Sequence, residues 1–228
     1  MLLPTLLPTL DNYTQLSIYS RSRSNLPLGR LRLPEDIPGP LATSLKKVSD
    51  HHTSIVSEKT NLADSKELAE KVISFLTEKK IIKKELSNCV LGSNGHKPAE
   101  NFASILEKPN EGFLDLRTNG VEVITERKVF ENGGNGLEQV NCPKCGQNQI
   151  EEDWGTALGN WYEKLDSDLI KCSNCLSESS ITEFNFEPNW AFGDFGLVFW
   201  NWGIFKSEFF IELEKLIGTE LKIVYGKV

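Results

Sequence analysis

The chain has 228 residues, 39% of them apolar or aromatic, and a formal net charge of -7. That is enough apolar material for one packed domain with appendages, or two small ones. The acidic balance weakens any general case for nucleic-acid binding, which rests on neutralising phosphates with Lys and Arg. No apolar run approaches the roughly 20 residues that span a bilayer.

The amino-terminal "MLLPTLLPTLDN" is a poor signal peptide, because it lacks a basic start and Pro4 and Pro8 interrupt its apolar stretch. The chain therefore reads as cytoplasmic. Residues 1–60 read as an extended or partly disordered arm. "SRSRSNLPLGRLRLPEDIPGPLATS" alternates Ser with Arg and then carries prolines at 27, 34, 38 and 40. Proline removes backbone donors and resists helix. "TQLSIYS" (14–20) could form one strand within the arm, and His51 and His52 at its end read as solvated.

A compact α+β domain is expected over 61–228, beginning near Asp64. In "DSKELAEKVISFLTEKK", Asp64 can cap a helix with Glu67 three residues on, and Leu68, Val72, Phe75 and Leu76 share one face. "NCVLGSNGHKPAENFASIL" reads as a short apolar run holding a structural thiol, Cys89, then a turn through Gly92 and Gly95, then a short helix from Pro98. "GFLDLRTNGVEVITERKVF" suggests two strands around Asn119 and Gly120.

The strongest signal comes next. Cys142 and Cys145 form one CxxC pair, and Cys172 and Cys175 form a second after 26 intervening residues. Each pair places two thiolates at a tight turn, and two such turns complete a tetrahedron around one ion. Zinc is the expected metal, with iron in a rubredoxin-like site as its competitor. Four thiolates saturate the ion, so the role is structural. The segment from about 141 to 176 thus reads as a zinc ribbon inserted in the domain. Within it, Trp154, Leu158, Trp161 and Leu165 fall at helical spacing.

"FNFEPNWAFGDFGLVFWNWGIF" (184–205) contains nine aromatic residues and no Lys or Arg. It reads as core rather than as a base-stacking platform, with Leu197 and Phe199 on one side of a strand and Val198, Trp200 and Trp202 on the other. Trp190 or Trp202 could line a groove. Ser207 can cap a last helix whose core face is Phe209, Phe210, Leu213, Leu216 and Ile217, with Gly218 as its stop. "ELKIVYGKV" closes the chain as a strand with Leu221, Ile223 and Tyr225 on one side. The expected fold is therefore α+β, with a mixed or antiparallel sheet, two main helices and a zinc ribbon. A ferredoxin-like sheet is the first expectation for the host.

The combination of "CVLGSNGHKPA", "DLRTNGVEV", "CPKCG", the second CxxC, "FGDFGLVFWNWGIF" and "KIVYGKV" resembles a group of uncharacterised bacterial zinc-ribbon-bearing proteins. These are often labelled as sugar-transporter ATPases. The resemblance spans residues 64–228 and implies a bacterial cytosolic protein with a structural metal. The ATPase label does not carry over, since no GxxxxGK[ST] loop is present.

No GxSxG elbow or HExxH helix occurs either. The leading functional expectation is a non-enzymatic, zinc-stabilised module that binds another protein, as an immunity-type or adaptor protein would. The first alternative is a nucleic-acid or ribosome-associated ribbon using Lys144, Lys164 and Lys171. The second is an enzyme with an unrecognised site, for which His96 beside Lys97 is the one acid-base candidate.

Overall fold

The structure, a computed structural model, describes residues 49–165 and 167–228. The chain order is β1 (His51–Ser57), α1 (Leu62–Glu78), β2 (Ile82–Ser87), β3 (Gly95–Pro98), β4 (Val121–Ile124) and β5 (Lys128–Phe130). It continues through β6 (Gln139–Asn141), α2 (Trp154–Glu163), β7 (Leu169–Lys171), β8 (Glu178–Ser180) and β9 (Asn185–Glu187). β10 (Ala191–Gly193), β11 (Phe195–Trp200), α3 (Ser207–Ile217) and β12 (Lys222–Lys227) complete it. Six strands form one sheet in the order β12-β1-β11-β4-β3-β2, with antiparallel neighbours throughout. The fold is thus α+β with a mainly antiparallel sheet. Among the described residues, no helix is long and apolar enough to cross a membrane.

Most of the expected arm, including its strand at 14–20, lies outside the described residues, but its last twelve residues do not. The boundary at 60 is too late. Residues 51–57 form β1, which sits between β11 and β12, one strand in from the edge of the sheet. Thr53, Ser54 and Ser57 are buried there, on either side of the buried pair Ile55 and Val56. Short hydroxyl side chains disguise a core strand as polar chain.

β11 is buried at every position. Phe195, Leu197 and Phe199 face a core with Ala69, Val72 and Leu76 of α1 and Phe209 and Leu213 of α3. Val198 and Trp200 face a second core with Val56, Phe130, Ala191 and Val224. Trp202 corrects the sequence reading, since it joins the Phe199 side rather than the Trp200 side. Asn201 has φ 61°, and this left-handed residue breaks the strand's alternation before Trp202. Asn201 tolerates the conformation because its amide donates to Asp50 and to the Thr118 carbonyl, both at 2.6 Å.

Helix α1 begins one turn before the expected start. Asn61 is its cap: Oδ1 accepts from the Asp64 backbone N–H at 3.0 Å, while Nδ2 donates to the Asp64 carboxylate at 2.7 Å. Asp64 answers the cap rather than being it. Val72 and Leu76 are buried as expected, with Leu68 and Phe75 packed at the margin. At α3 the cap position is Lys206, and Ser207 is the first helical residue. Gly218 ends that helix at φ 89°.

The helix expected from Pro98 is only a 3₁₀ turn, Phe102–Ile105, and the residues expected as a strand before Asn119 are a second 3₁₀ turn, Glu111–Asp115. On β12, Val224 is the fully buried residue and Tyr225 is exposed, because an edge strand packs one face closely and the other only in part. The loop after β5 closes that edge: Lys227 donates to the Asn132 carbonyl at 3.2 Å, and the Asn135 amide donates to the Lys227 carbonyl. Gly133 (φ 79°) lies so close to Lys227 that any side chain would strike its carbonyl.

His52 lies half-buried on β1, its ring 5.2 Å from that of Trp200. Burial, helped by Lys128 and His51 and opposed by Glu122, lowers its pKa from the ordinary 6.5. The unfolded chain therefore takes up this proton more readily than the folded one. Stability is complete above the unfolded value and falls as pH drops through 6.5 toward the lower folded value. Urea titrations across that window should show the loss, and His52→Gln should flatten it.

Candidate metal centre

The two CxxC turns have the same backbone. At the first, Cys142 N–H donates to the Gln147 carbonyl at 3.0 Å and Gly146 N–H returns to the Cys142 carbonyl at 2.9 Å. At the second, Cys172 N–H donates to Ser177 at 2.9 Å and Leu176 N–H returns to Cys172 at 3.0 Å. Both turns need a left-handed residue, supplied by Gly146 (φ 73°) in one and Leu176 (φ 61°) in the other. The first knuckle follows β6 and the second follows β7, whose hairpin with β8 carries it.

All four sequence-predicted ligands meet. Their sulfur atoms lie within 4.8 Å of one another. Cys142 Sγ is 3.8 Å from Cys175 Sγ, and Cys145 Sγ is 3.6 Å from Cys172 Sγ. A tetrahedron with bonds of about 2.3 Å to a central ion has sulfur–sulfur edges of about 3.8 Å. The cluster therefore fits one tetrahedral metal ion. Cys142 and Cys172 are buried and Cys145 and Cys175 exposed, so one side of the tetrahedron faces the module and the other faces solvent.

Hydrogen bonds reach the sulfurs. Lys144 N–H points at Cys142 Sγ at 3.4 Å, and the Asn174 amide at Cys145 Sγ at 3.6 Å. The Ser177 hydroxyl lies 2.9 Å from Cys175 Sγ. That hydroxyl, with the Ser177 backbone N–H, pulls the Cys175 thiol down to about 6. Such donors favour the thiolate, which is the form that binds metal.

Sequence reading missed Gln149. It is fully buried, and its Oε1 accepts from both the backbone N–H (2.9 Å) and the hydroxyl (3.1 Å) of Ser173 in the opposite knuckle. Its Nε2 donates to the Gln147 and Asn148 carbonyls beside the first. One amide thus staples the two turns together. A glutamine four residues after a CxxC gives no local signal that its partner lies 24 residues on.

The centre sits on its own core. Cys142 and Cys172 pack with Val140, Leu158, Ile170 and Ile181, and with Phe184, Phe186, Trp190 and Phe192. Phe186 and Trp190 stack at 5.1 Å. The module is thus wider than the expected 141–176, because β6 pairs with β9 and draws in the first half of the aromatic segment. Trp190 and Trp202 are both buried, so neither lines a groove. Helix α2 forms with Asp153 as its cap, which absorbs one of three contiguous carboxylates. Leu165 lies beyond the helix and is exposed, since Lys164 at φ 59° ends it.

Arg127 ties module to host. Its guanidinium donates to Asp194 at 3.0 Å and to the Trp161 carbonyl at 2.9 Å, and lies over the Trp161 ring. Lys144, Lys164 and Lys171 are exposed. His96 is not in an open turn. It is buried on β3, with Nδ1 3.0 Å from the Lys83 carbonyl.

Cys145→Ser should reduce metal content well below one ion per chain. Hydrogen exchange should then rise across 137–192 while α1 and β1 keep their protection, because modules of this kind draw on the order of 10 kcal/mol from metal binding. Full occupancy in that variant would contradict the four-ligand assignment. Gln149→Leu, nearly isosteric, should keep all four ligands yet weaken metal affinity by about 10- to 100-fold in chelator competition. Comparison with models of protein families, with curated proteins and with solved structures finds no match, so the centre is defined by its own geometry.

Proposed function

We propose that the chain is a zinc-stabilised cytosolic binding protein of bacterial type, without chemistry of its own, whose partner is another protein. The all-sulfur donor set and its edge lengths support a closed zinc site: four thiolates leave no position for water, and zinc has no redox chemistry to disturb them. Iron would take the same ligands, and metal analysis with the visible spectrum separates the two. The paired knuckles support reading the module as a zinc ribbon. The order β12-β1-β11-β4, with α1 after β1 and α3 before β12, supports reading the host as a ferredoxin-like sheet extended by β3 and β2.

The observation that carries the binding role is Leu176. It is 66% exposed at the tip of the second knuckle and held at φ 61°, where the matching turn uses Gly146. A left-handed leucine costs roughly 1–2 kcal/mol, and an exposed one gains nothing from burial. Contact with a partner would offset both penalties. Leu165 and Leu169 are also more than half exposed on the module. Residues 141–176 carry six carboxylates against three lysines. A basic protein with an apolar contact patch fits that surface, as the target of an immunity-type or adaptor protein would.

Leu176→Gly tests this without breaking the fold. Metal content should be unchanged, stability should stay level or rise by about 1 kcal/mol, and partner affinity should fall by about tenfold or more. The partner is first identified by cross-linking in cells and then measured with purified components. Recovery of nucleic acid alone, or a partner indifferent to Leu176→Gly, would overturn the reading.

A further inference from the structure

The metal centre presents its sulfurs unequally to solvent. Cys145 and Cys175 are exposed, whereas Cys142 and Cys172 are buried, so each CxxC turn contributes one of each kind. The exposed sulfur of either turn lies against the buried sulfur of the other. Cys145 Sγ is 3.6 Å from Cys172 Sγ, and Cys175 Sγ is 3.8 Å from Cys142 Sγ. An accessible thiolate with a second sulfur in contact behind it is the arrangement of cysteines that respond to oxidants. Cys89 supplies the contrast. It is fully buried, and packed so tightly that a side chain at Gly120 would strike its sulfur.

What holds the two turns face to face does not pass through the ion. Gln149 is buried between them, with Oε1 accepting from the Ser173 N–H and hydroxyl and Nε2 donating to the Gln147 and Asn148 carbonyls. The crossed sulfur pairs therefore have a tether of their own while ligands are being lost.

We propose that this face is an oxidation site for hydroperoxides, closed by two crossed disulfides, Cys145–Cys172 and Cys175–Cys142. The Cys145 thiolate attacks the terminal oxygen of the hydroperoxide. An S–O bond forms, the O–O bond breaks, and the departing oxyanion takes a proton from water. The Cys172 thiolate then attacks the sulfenic sulfur. An S–S bond forms, the S–O bond breaks, and hydroxide leaves and is protonated. Two electrons pass from two sulfurs to one hydroperoxide, and Cys175 with Cys142 repeats the sequence with a second. No electron comes from the ion, and disulfide sulfur no longer ligates it. The consequence for binding rests on the protein-binding reading: Leu176 follows Cys175, and its N–H is tied to the Cys172 carbonyl, so oxidation disturbs the turn that presents it.

The test titrates the full metal-loaded protein with hydrogen peroxide beside a chromogenic zinc chelator, and maps disulfides by mass spectrometry. Loss of the four clustered thiols should accompany release of the ion, with Cys89 still free. Peptides joined by the crossed pairs should dominate. Gln149→Leu should lose most of the crossed pairing in favour of disulfides within each CxxC. Partner affinity should fall by about tenfold or more on oxidation and return with dithiothreitol and zinc. Retention of the ion while Cys89 reacts would overturn the proposal, as would disulfides confined within each CxxC in the unaltered protein. Crossed disulfides with unchanged partner affinity would overturn the link to binding. A reduced protein that binds no partner would strike the binding reading, while the mapped disulfides still decide the oxidation site.

Discussion

The double burial of β11 is the constraint from which the rest of the fold follows. A strand with no solvent face needs apolar cover above and below, and each cover must come from a different part of the chain. The two helices supply one, packing Val72, Leu76, Phe209 and Leu213 against Phe195, Leu197 and Phe199. The other comes from Phe130 and Ala191, on the short β5–β10 ladder, together with Val56 and Val224. Gly196 lets the Phe130 ring lie directly on the strand, where any side chain at 196 would meet it. That ladder is also the route into the metal module. The aromatic chain from 184 to 205 is therefore divided, its first half around the cysteines and its second half between the two cores of the host.

What could be read in advance was what local spacing encodes. CxxC turns, the 3.6-residue period of Val72 and Leu76, and Gly218 after Ile217 are decided within a few residues of chain, and each stands where the sequence puts it. β1 escaped because burial of Thr53, Ser54 and Ser57 depends on neighbours far along the chain. The sequence itself shows only histidines and hydroxyls beside a proline-rich tract. Trp202 lies on the face opposite to the one that strand alternation predicts, because the alternation stops at Asn201, and no pattern rule reveals a left-handed residue held by Asp50 and Thr118. Gln149 and Arg127 act across separations of 24 and 67 residues, where one sequence carries no signal.

The metal module and the host have distinct cores, joined by the β5–β10 ladder, by the Phe192 N–H donated to Glu58 and by Arg127. Arg127 spans from the loop after β4 to Asp194 before β11 and to the end of α2. Its guanidinium is partly shielded by Trp161, which strengthens hydrogen bonds that would be weak in open water. The setting of the knuckles on the sheet thus rests on this cation together with the β5–β10 ladder, whereas the spacing of the four sulfurs rests on the module alone.

The sheet guards its two outer strands by unlike means. β12 is covered at its last residue, Lys227, by hydrogen bonds from the 132–136 loop. β2 has no such cover among the described residues. Its edge offers Lys83 and Lys84 and an interrupted register against β3. Charge on an edge strand discourages pairing with another chain, but salt screens it within about 10 Å at 0.1 M ionic strength, whereas a hydrogen-bonded loop is indifferent to salt. Self-association of this protein, wherever it begins, therefore has a preferred side, and the ionic strength of its surroundings governs how well that side is defended.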